Sequence, residues 1–290
     1  MDERTKEAME HYGDKSEDLR QLLGFYGAVW RLQSEIAAEQ GDWTPPDAET
    51  LRDALVTGQH AFLVRAPEVD PAAYRDAVRR LRLLLADSEI LSEETRERLA
   101  EEFESVVPDE ADGIPDVEAL CEAAAEKTET ASEEAELVHF LFSSALTPFL
   151  VGPATAIVET LGGIDTSLWS SGECPVCGTP AYVGHIIDAG QLEGDFRYLA
   201  CPLCRAEWQY DRLRCVRCGT RDHEQLHYLY EESDPAHKVH VCEACHGYIK
   251  ITDQREAGRR TVPWVEDVVT VLMDDVAKDR GYTLLGDGED

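Results

Sequence analysis

Lysine is scarce in this chain: six lysines stand among 290 residues, against 59 carboxylates, and the formal net charge is −32. Holding a nucleic-acid backbone relies on clustered Lys and Arg, so this balance argues against a nucleic-acid partner. Long hydrophobic runs are also missing, since a membrane helix needs roughly 20 consecutive apolar residues. The most apolar window, LVHFLFSSALTPFLVG, carries His139 and is interrupted by Pro148, so it reads better as a buried helix, and no membrane insertion is expected. The first twenty residues are highly charged, with neither a signal-peptide core nor a twin-arginine pair, and the chain is expected to be cytoplasmic. There is no Gly-rich phosphate loop and no nucleophile motif, and no catalytic residues are assigned. What is abundant is acid, spread along the chain. A solvated acidic coat keeps a protein dissolved where salt screens exposed charges, and the sequence reads as halophilic in type. An acidic face for a basic partner is the alternative.

The first 170 residues read as helices. Leu19, Leu22, Leu23, Tyr26, Val29, Trp30 and Ile36 recur at three-to-four spacing behind a capping Ser16. Tyr74, Val78, Leu81, Leu84 and Leu85 repeat the pattern. Two acidic segments, SEETRERLAEEFESVV and PDVEALCEAAAEK, suggest outer helices, and Cys121 in the second reads as a small core residue. SEEAELVHFLFSSALTPFL and PATAIVETLGG suggest two inner helices. His60 and His139 read as structural histidines.

The character changes after Trp169. Short runs such as AYVGHII, DFRYLA, LHYLY and KVHV read as strands. The acidic excess falls too: residues 174–256 hold nine bases and 13 acids, whereas residues 1–173 hold 14 and 38. From about Thr261, Val265, Val268, Val269, Leu272 and Val276 mark a final helix packing back on the rest.

Eight of the nine cysteines form CxxC pairs: Cys174/Cys177, Cys201/Cys204, Cys215/Cys218 and Cys242/Cys245. The first pair lies 41 residues before the third, the second lies 41 before the fourth, and 23 residues separate the pairs within each unit. That is an internal repeat, one structural unit used twice. It assigns Cys174, Cys177, Cys201 and Cys204 to one metal and Cys215, Cys218, Cys242 and Cys245 to a second. The ten residues between the middle pairs are then a connector. In a cytosolic chain, regular CxxC pairs point to metal before disulfide. Two such turns brought together complete a thiolate tetrahedron suited to zinc or to a single rubredoxin-type iron. A unit of about 45 residues has too small an apolar core to fold well alone, and metal binding worth about 10–16 kcal/mol covers the deficit. Four thiolates leave no open coordination position, so the sites read as structural, or at most one-electron redox.

The fold class is α+β and multidomain: a helical domain over 1–170, tandem rubredoxin-like zinc-ribbon units over 171–211 and 212–256, and a C-terminal helix over 257–290.

The text around the cysteines resembles the FdhE family of formate dehydrogenase accessory proteins, closely from about Cys174 to Lys250 and loosely beyond. The residues carrying the resemblance are Arg197, Tyr198, Leu199, Glu207, Trp208, Leu226, His227, Tyr228, Tyr248 and Lys250. One departure is visible: the family tends to place Gly directly after the last cysteine, where His246 stands here, and this bears on the shape of the last turn. The resemblance implies a cytoplasmic maturation factor, not an enzyme, with two rubredoxin-like metal sites. Its implied partner is the catalytic subunit of a molybdenum- or tungsten-dependent formate dehydrogenase, bound before completion or export. Tyr198, Trp208, Tyr228 and Tyr248 are expected either to pack inside the ribbons or to form a contact surface, with packing favoured for at least half of them. Arg197 and Glu207 are placed to pair across the first ribbon or to face the client. Competing readings are a zinc-ribbon nucleic-acid or protein-interaction module, a rubredoxin-like electron carrier, and a redox sensor coupled to client binding.

Overall fold

The computed structural model describes residues 1–88, 91–93, 95–96, 131–188 and 195–284. The two acidic segments expected to form outer helices, Cys121 among them, lie largely outside the described residues. The contacts divide the chain into two compact units.

The first unit comprises Ser16–Trp43 and Pro67–Pro153. Its described helices are α2 (Glu17–Ala38), α5 (Pro71–Ala86) and α6 (Ala131–Leu161) through Pro153. Ser16 caps α2 by accepting from the Leu19 N–H, as its position before the apolar stripe suggests. The core joins Val29 and Ile36 to Tyr74, Val78, Leu81 and Leu85, and these to Leu141, Phe142 and Phe149 of α6. Glu136–Leu161 is long and apolar enough to cross a membrane by length and composition. Its burial of Leu141, Phe142 and Ala145 makes it a core helix here.

Where the prolines suggest two inner helices, α6 is continuous, with Pro148 and Pro153 inside it. Proline at 148 has no N–H for the Ser144 carbonyl one turn earlier. Gln33 makes good the loss: its side-chain amide donates to Ser144 O at 2.9 Å in a buried setting. The backbone cost of the proline is met by a side chain of α2.

The second unit comprises Asp2–Lys15, Thr44–Ala66 and Ala154–Asp290, so two stretches of the helical region group with the cysteine-rich region. Its centre is one seven-stranded sheet. β1 (Val183–Asp188), β2 (Asp195–Ala200) and β3 (Glu207–Tyr210) form an antiparallel meander. β4 (Leu226–Glu231), β5 (Asp234–Cys242) and β6 (Gly247–Asp253) form a second. The meanders join edge to edge through β1 and β6, which run parallel with Val183 opposite Lys250 and Ile186 opposite Asp253. The path through the sheet is β3-β2-β1-β6-β5-β4, and a short β7 (Thr283–Leu284) also pairs with β6. Within the supposed connector, Glu207–Tyr210 is therefore a strand of the sheet.

α1 (Glu3–Gly13), α3 (Ala48–Val56) and α4 (Ala61–Val64) belong to this unit, as do α7 (Gln254–Ala257), α8 (Pro263–Val269) and α9 (Val271–Asp279). The single C-terminal helix expected from valine spacing is thus two helices, broken at Thr270, whose ψ is 18°. The break changes the buried face. Val265 and Val268 are buried, but Leu272 and Val276 are exposed and Ala277 is buried instead.

Two buried polar clusters tie these helices to the sheet. Lys250 on β6 meets Asp267 and Asp274 carboxylates at 2.7 Å each, and the Tyr248 hydroxyl donates to Asp274 at 2.9 Å. Burial alone would lower the Lys250 ammonium, but the two aspartates outweigh it and hold its pKa above the ordinary value. Tyr12 of α1 donates to Glu266 of α8, which lies 3.2 Å from His237 of β5 and 2.9 Å from Arg259. Tyr248 and Lys250, two residues of the family resemblance, therefore anchor helices on β6.

Candidate metal centres

Both four-cysteine groups follow the same plan. In the first, Cys174 and Cys177 lie on a turn preceding β1, and Cys201 and Cys204 lie on the turn joining β2 to β3. In the second, Cys215 and Cys218 precede β4, and Cys242 and Cys245 bracket the turn joining β5 to β6. The strands bring each outer turn back beside the inner one.

The turns share one hydrogen bond. The N–H of the residue after the second cysteine donates to the carbonyl of the first: Gly178 to Cys174 at 2.9 Å, Arg205 to Cys201 at 3.2 Å, Gly219 to Cys215 at 3.1 Å and His246 to Cys242 at 2.9 Å. Closing the turn this way requires left-handed backbone at the donating residue. Gly178 (φ 83°) and Gly219 (φ 72°) reach it without a steric cost, whereas Arg205 (φ 60°) and His246 (φ 55°) reach it with one. The missing glycine at 246 therefore leaves the last turn in the same shape as the others. His246 is exposed, and its ring lies 6.1 Å from that of Tyr282.

The thiols converge as the repeat spacing suggests. Cys174 and Cys204 sulfurs are 3.5 Å apart, as are those of Cys177 and Cys201. Cys215 and Cys245 are separated by 3.6 Å, and Cys218 and Cys242 by 3.8 Å. Within each group all four sulfurs lie within 4.8 Å of one another. Four sulfurs at about 2.3 Å from a tetrahedral ion stand about 3.8 Å apart, so each group has room for one ion. The Val176 and Cys204 amides each point at a cysteine sulfur at 3.4 Å, the arrangement that stabilises thiolate. Without a cation the first group is unfavourable: burial pushes the Cys174 and Cys204 thiols up, because four acids share one desolvated space. A divalent ion resolves that conflict. The two groups differ in exposure. Cys177 is the least buried of the first, while in the second Cys218 is exposed and Cys245 half-buried.

The surroundings hold residues that spacing did not reveal. Ala61 and Phe62, at the start of α4, donate to the carbonyls of Pro175 and Val176 at 2.8 and 2.9 Å. The His60 ring lies against Gly178, and its Nδ1 is 3.3 Å from Val176 O. His60 is thus a structural support of the first knuckle, contributed from more than a hundred residues away. Gly172 is packed so closely that a Cβ there would meet Val216 O, inside the third knuckle, at 2.1 Å. His139, on α6, is exposed.

Arg197 and Glu207 do not pair. The wholly buried Arg197 donates to the carbonyls of Asp211 and Arg214 and faces His240 Nδ1 at 3.0 Å. Glu207 faces His185 at 3.5 Å. The register explains this: Arg197 stands opposite Tyr210, while Glu207 is three residue pairs away, opposite Ala200. Burial lowers the His240 imidazole to about 3, leaving it neutral and able to accept from the guanidinium. Trp208 and Tyr248 are buried, and Tyr228 stacks on His240 at 4.8 Å.

A family model described as the FdhE central domain matches residues 173–212. A curated FdhE homologue from Aquifex aeolicus is 32% identical over 147 residues, covering 51% of this chain and 50% of that protein. Another from Stutzerimonas stutzeri is 39% identical over 110 residues, 38% of this chain and 35% of that one. The matched regions thus span about half or less of these relatives' length. The crystal structure of the FdhE protein from Pseudomonas aeruginosa aligns with a TM-score of 0.61 and 21% identity, covering 99% of this chain and 96% of that one, so the fold is shared. The family model falls on the first cysteine group, the curated homologues align at the sequence level, and the fold is shared, so the chain is similar to FdhE proteins in this region and in architecture.

Proposed function

We propose that this protein is an accessory factor of formate dehydrogenase maturation, acting in the cytoplasm by binding the enzyme's catalytic subunit during assembly or before export. Similarity to the FdhE homologues supports the client. The observation that carries the mode of action is the pair of four-cysteine groups on one sheet. In this reading Cys174, Cys177, Cys201 and Cys204 hold one ion, and Cys215, Cys218, Cys242 and Cys245 hold a second. Each ion is zinc or a single rubredoxin-type iron. Four thiolates saturate a tetrahedral ion, so the metals serve folding and presentation of a binding surface, and the protein performs no catalysis of its own.

The test is complementation in a host lacking its own factor. Cys204→Ser and Cys242→Ser, each breaking one group, are expected to abolish formate dehydrogenase activity while leaving the level of the client transcript unchanged. A tagged wild-type chain is expected to recover the catalytic subunit as its main partner. Full activity with either variant would overturn the metal-dependent part of this reading. Recovery of ribosomal or transcription components in place of the subunit would overturn the client.

A further inference from the structure

The two ends of the seven-stranded sheet are finished differently. At one end the outer edge of β3 is engaged, the Gln209 N–H donating to Ile164 O at 2.9 Å. At the other end, among the described residues, β4 pairs with β5 alone and no backbone hydrogen bond reaches its outer edge. β4 starts with Leu226 opposite Cys242 of the second cysteine group and keeps regular register through Leu229, with a shift only between Leu229 and Glu231. An open strand edge carries a row of unpaired N–H and C=O groups, a ready template for another strand. Lysine and proline, two common guards against such pairing, are absent from Leu226–Glu231, and Tyr230 is 58% exposed there.

The charge flanking this edge is of one sign. Asp222 and Glu224 stand before β4, and Glu231 and Glu232 stand at its far end, all four exposed. No Lys or Arg occurs between Arg221 and Lys238. Those two cations are already taken, Arg221 by Asp211 at 2.9 Å and Lys238 by Asp253 at 3.4 Å. The four carboxylates have two effects. They repel the equally acidic edge of a second copy, and they attract a strand whose own flanks are basic. Six residues at about 3.3 Å each span about 20 Å, so a segment lying along β4 would bring both of its flanks near carboxylates.

We propose that the outer edge of β4 binds an extended peptide segment as an additional strand, and that this segment carries Lys or Arg on both sides of an uncharged, strand-forming centre. Backbone bonds to Leu226–Leu229 supply the pairing, and Asp222, Glu224, Glu231 and Glu232 select the occupant. The exposed Tyr230 ring adds a face for a guanidinium or ammonium. This edge is then an acidic face for a basic partner, set within an otherwise solvating acidic coat. The inference does not rest on the maturation reading, because it specifies the chemistry of the segment and not the protein that carries it.

The experiment is fluorescence anisotropy of the full, metal-loaded chain with a short labelled peptide, an alternating threonine–valine centre with arginines at both ends. Saturable binding is expected, weakening as salt is raised. Methylating the central amide nitrogens of the peptide removes backbone donors and leaves its charge, and is expected to lower affinity by about tenfold or more. Exchanging its arginines for glutamates is expected to abolish binding. The triple variant Glu224→Gln/Glu231→Gln/Glu232→Gln, at exposed positions, is expected to weaken the basic peptide by about tenfold with metal content unchanged. Hydrogen exchange on the wild-type chain is expected to slow at Leu226–Leu229 when the peptide binds, which locates the contact without any variant. No saturable binding would overturn the proposal and leave the acids as guards of the edge. Equal binding of the methylated peptide would overturn strand addition. Equal binding of the glutamate peptide, or by the variant, would overturn selection by charge. Exchange slowed elsewhere and not in β4 would overturn the assignment to this edge.

Discussion

Exchanging the residue after the second cysteine of each knuckle should shift metal retention in opposite directions at different knuckles. An L-residue in the left-handed region costs about 1–2 kcal/mol. Gly178 and Gly219 escape that cost, and Arg205 and His246 bear it. Gly178→Ala and Gly219→Ala should each raise the energy of a closed knuckle by that amount, lowering apparent metal affinity at the affected site about 5- to 30-fold. Gly178→Ala belongs at the upper end, because its new Cβ would stand 3.0 Å from the His60 ring. Gly219→Ala belongs at the lower end, because the nearest atom is Arg214 Nη2 at 3.1 Å, the far end of a flexible side chain. His246→Gly should work the other way. Its gain is reduced by the extra entropy of glycine in the unfolded chain and by loss of the Tyr282 ring contact, leaving retention improved by no more than about fivefold. Arg205→Gly is the control: it relieves the same backbone but removes the guanidinium 4.7 Å from the Trp264 ring centre, so no net gain is expected. The assay is zinc competition against a chromophoric chelator, with circular dichroism to verify folding. Unchanged retention in both Gly→Ala variants, or a tenfold loss in His246→Gly, would refute the reasoning.

The second cysteine group should release its ion first, because Cys218 is exposed and Cys245 half-buried. Chelator challenge followed by native mass spectrometry should show a one-ion intermediate, and Cys218→Ser should remove the fast phase; loss of both ions at one rate would contradict this. Gln33→Leu should cost about 1–3 kcal/mol in denaturant unfolding, because Ser144 O loses its donor. In a Pro148→Ala background the restored amide should cut that cost to a few tenths, and an undiminished cost there would disprove the compensation. Burial would raise the Glu266 carboxyl and lower the His237 imidazole, but their contact, with Asp234 and Arg259, holds Glu266 below and His237 above the ordinary value. The His237 contribution is full below pH 6.5 and fades as pH rises through its folded value, while that of Glu266 is full above pH 4.5 and fades as pH falls. Thermal midpoints of His237→Gln should therefore lose part of the wild-type decline above pH 6.5, and an identical slope would count against the network.

Much of the site was legible because ligand spacing is a local property. CxxC puts two thiols on one turn, and equal 41-residue offsets sort four turns into two groups without any knowledge of the sheet. Apolar stripes on α2 and α5 were legible for the same reason: burial follows the period of the helix. Where the reading failed, a distant partner changed a local rule. Pro148 reads as a helix break, but the carbonyl it orphans is taken by Gln33. The valine spacing after Thr261 reads as one stripe, but the break at Thr270 turns Leu272 and Val276 to the surface. Arg197 and Glu207 read as a pair by their nearness to the knuckles, and strand register separates them.

The sequence by itself determined that the eight cysteines sort into two groups of four and which cysteines share a group, because these depend on residue type and short spacing. Only the tertiary structure decided that the two ribbons share one sheet through β1 and β6, with β4 at its edge, and that His60 supports the first knuckle. Those are contacts between residues far apart in the chain, and no local period encodes them.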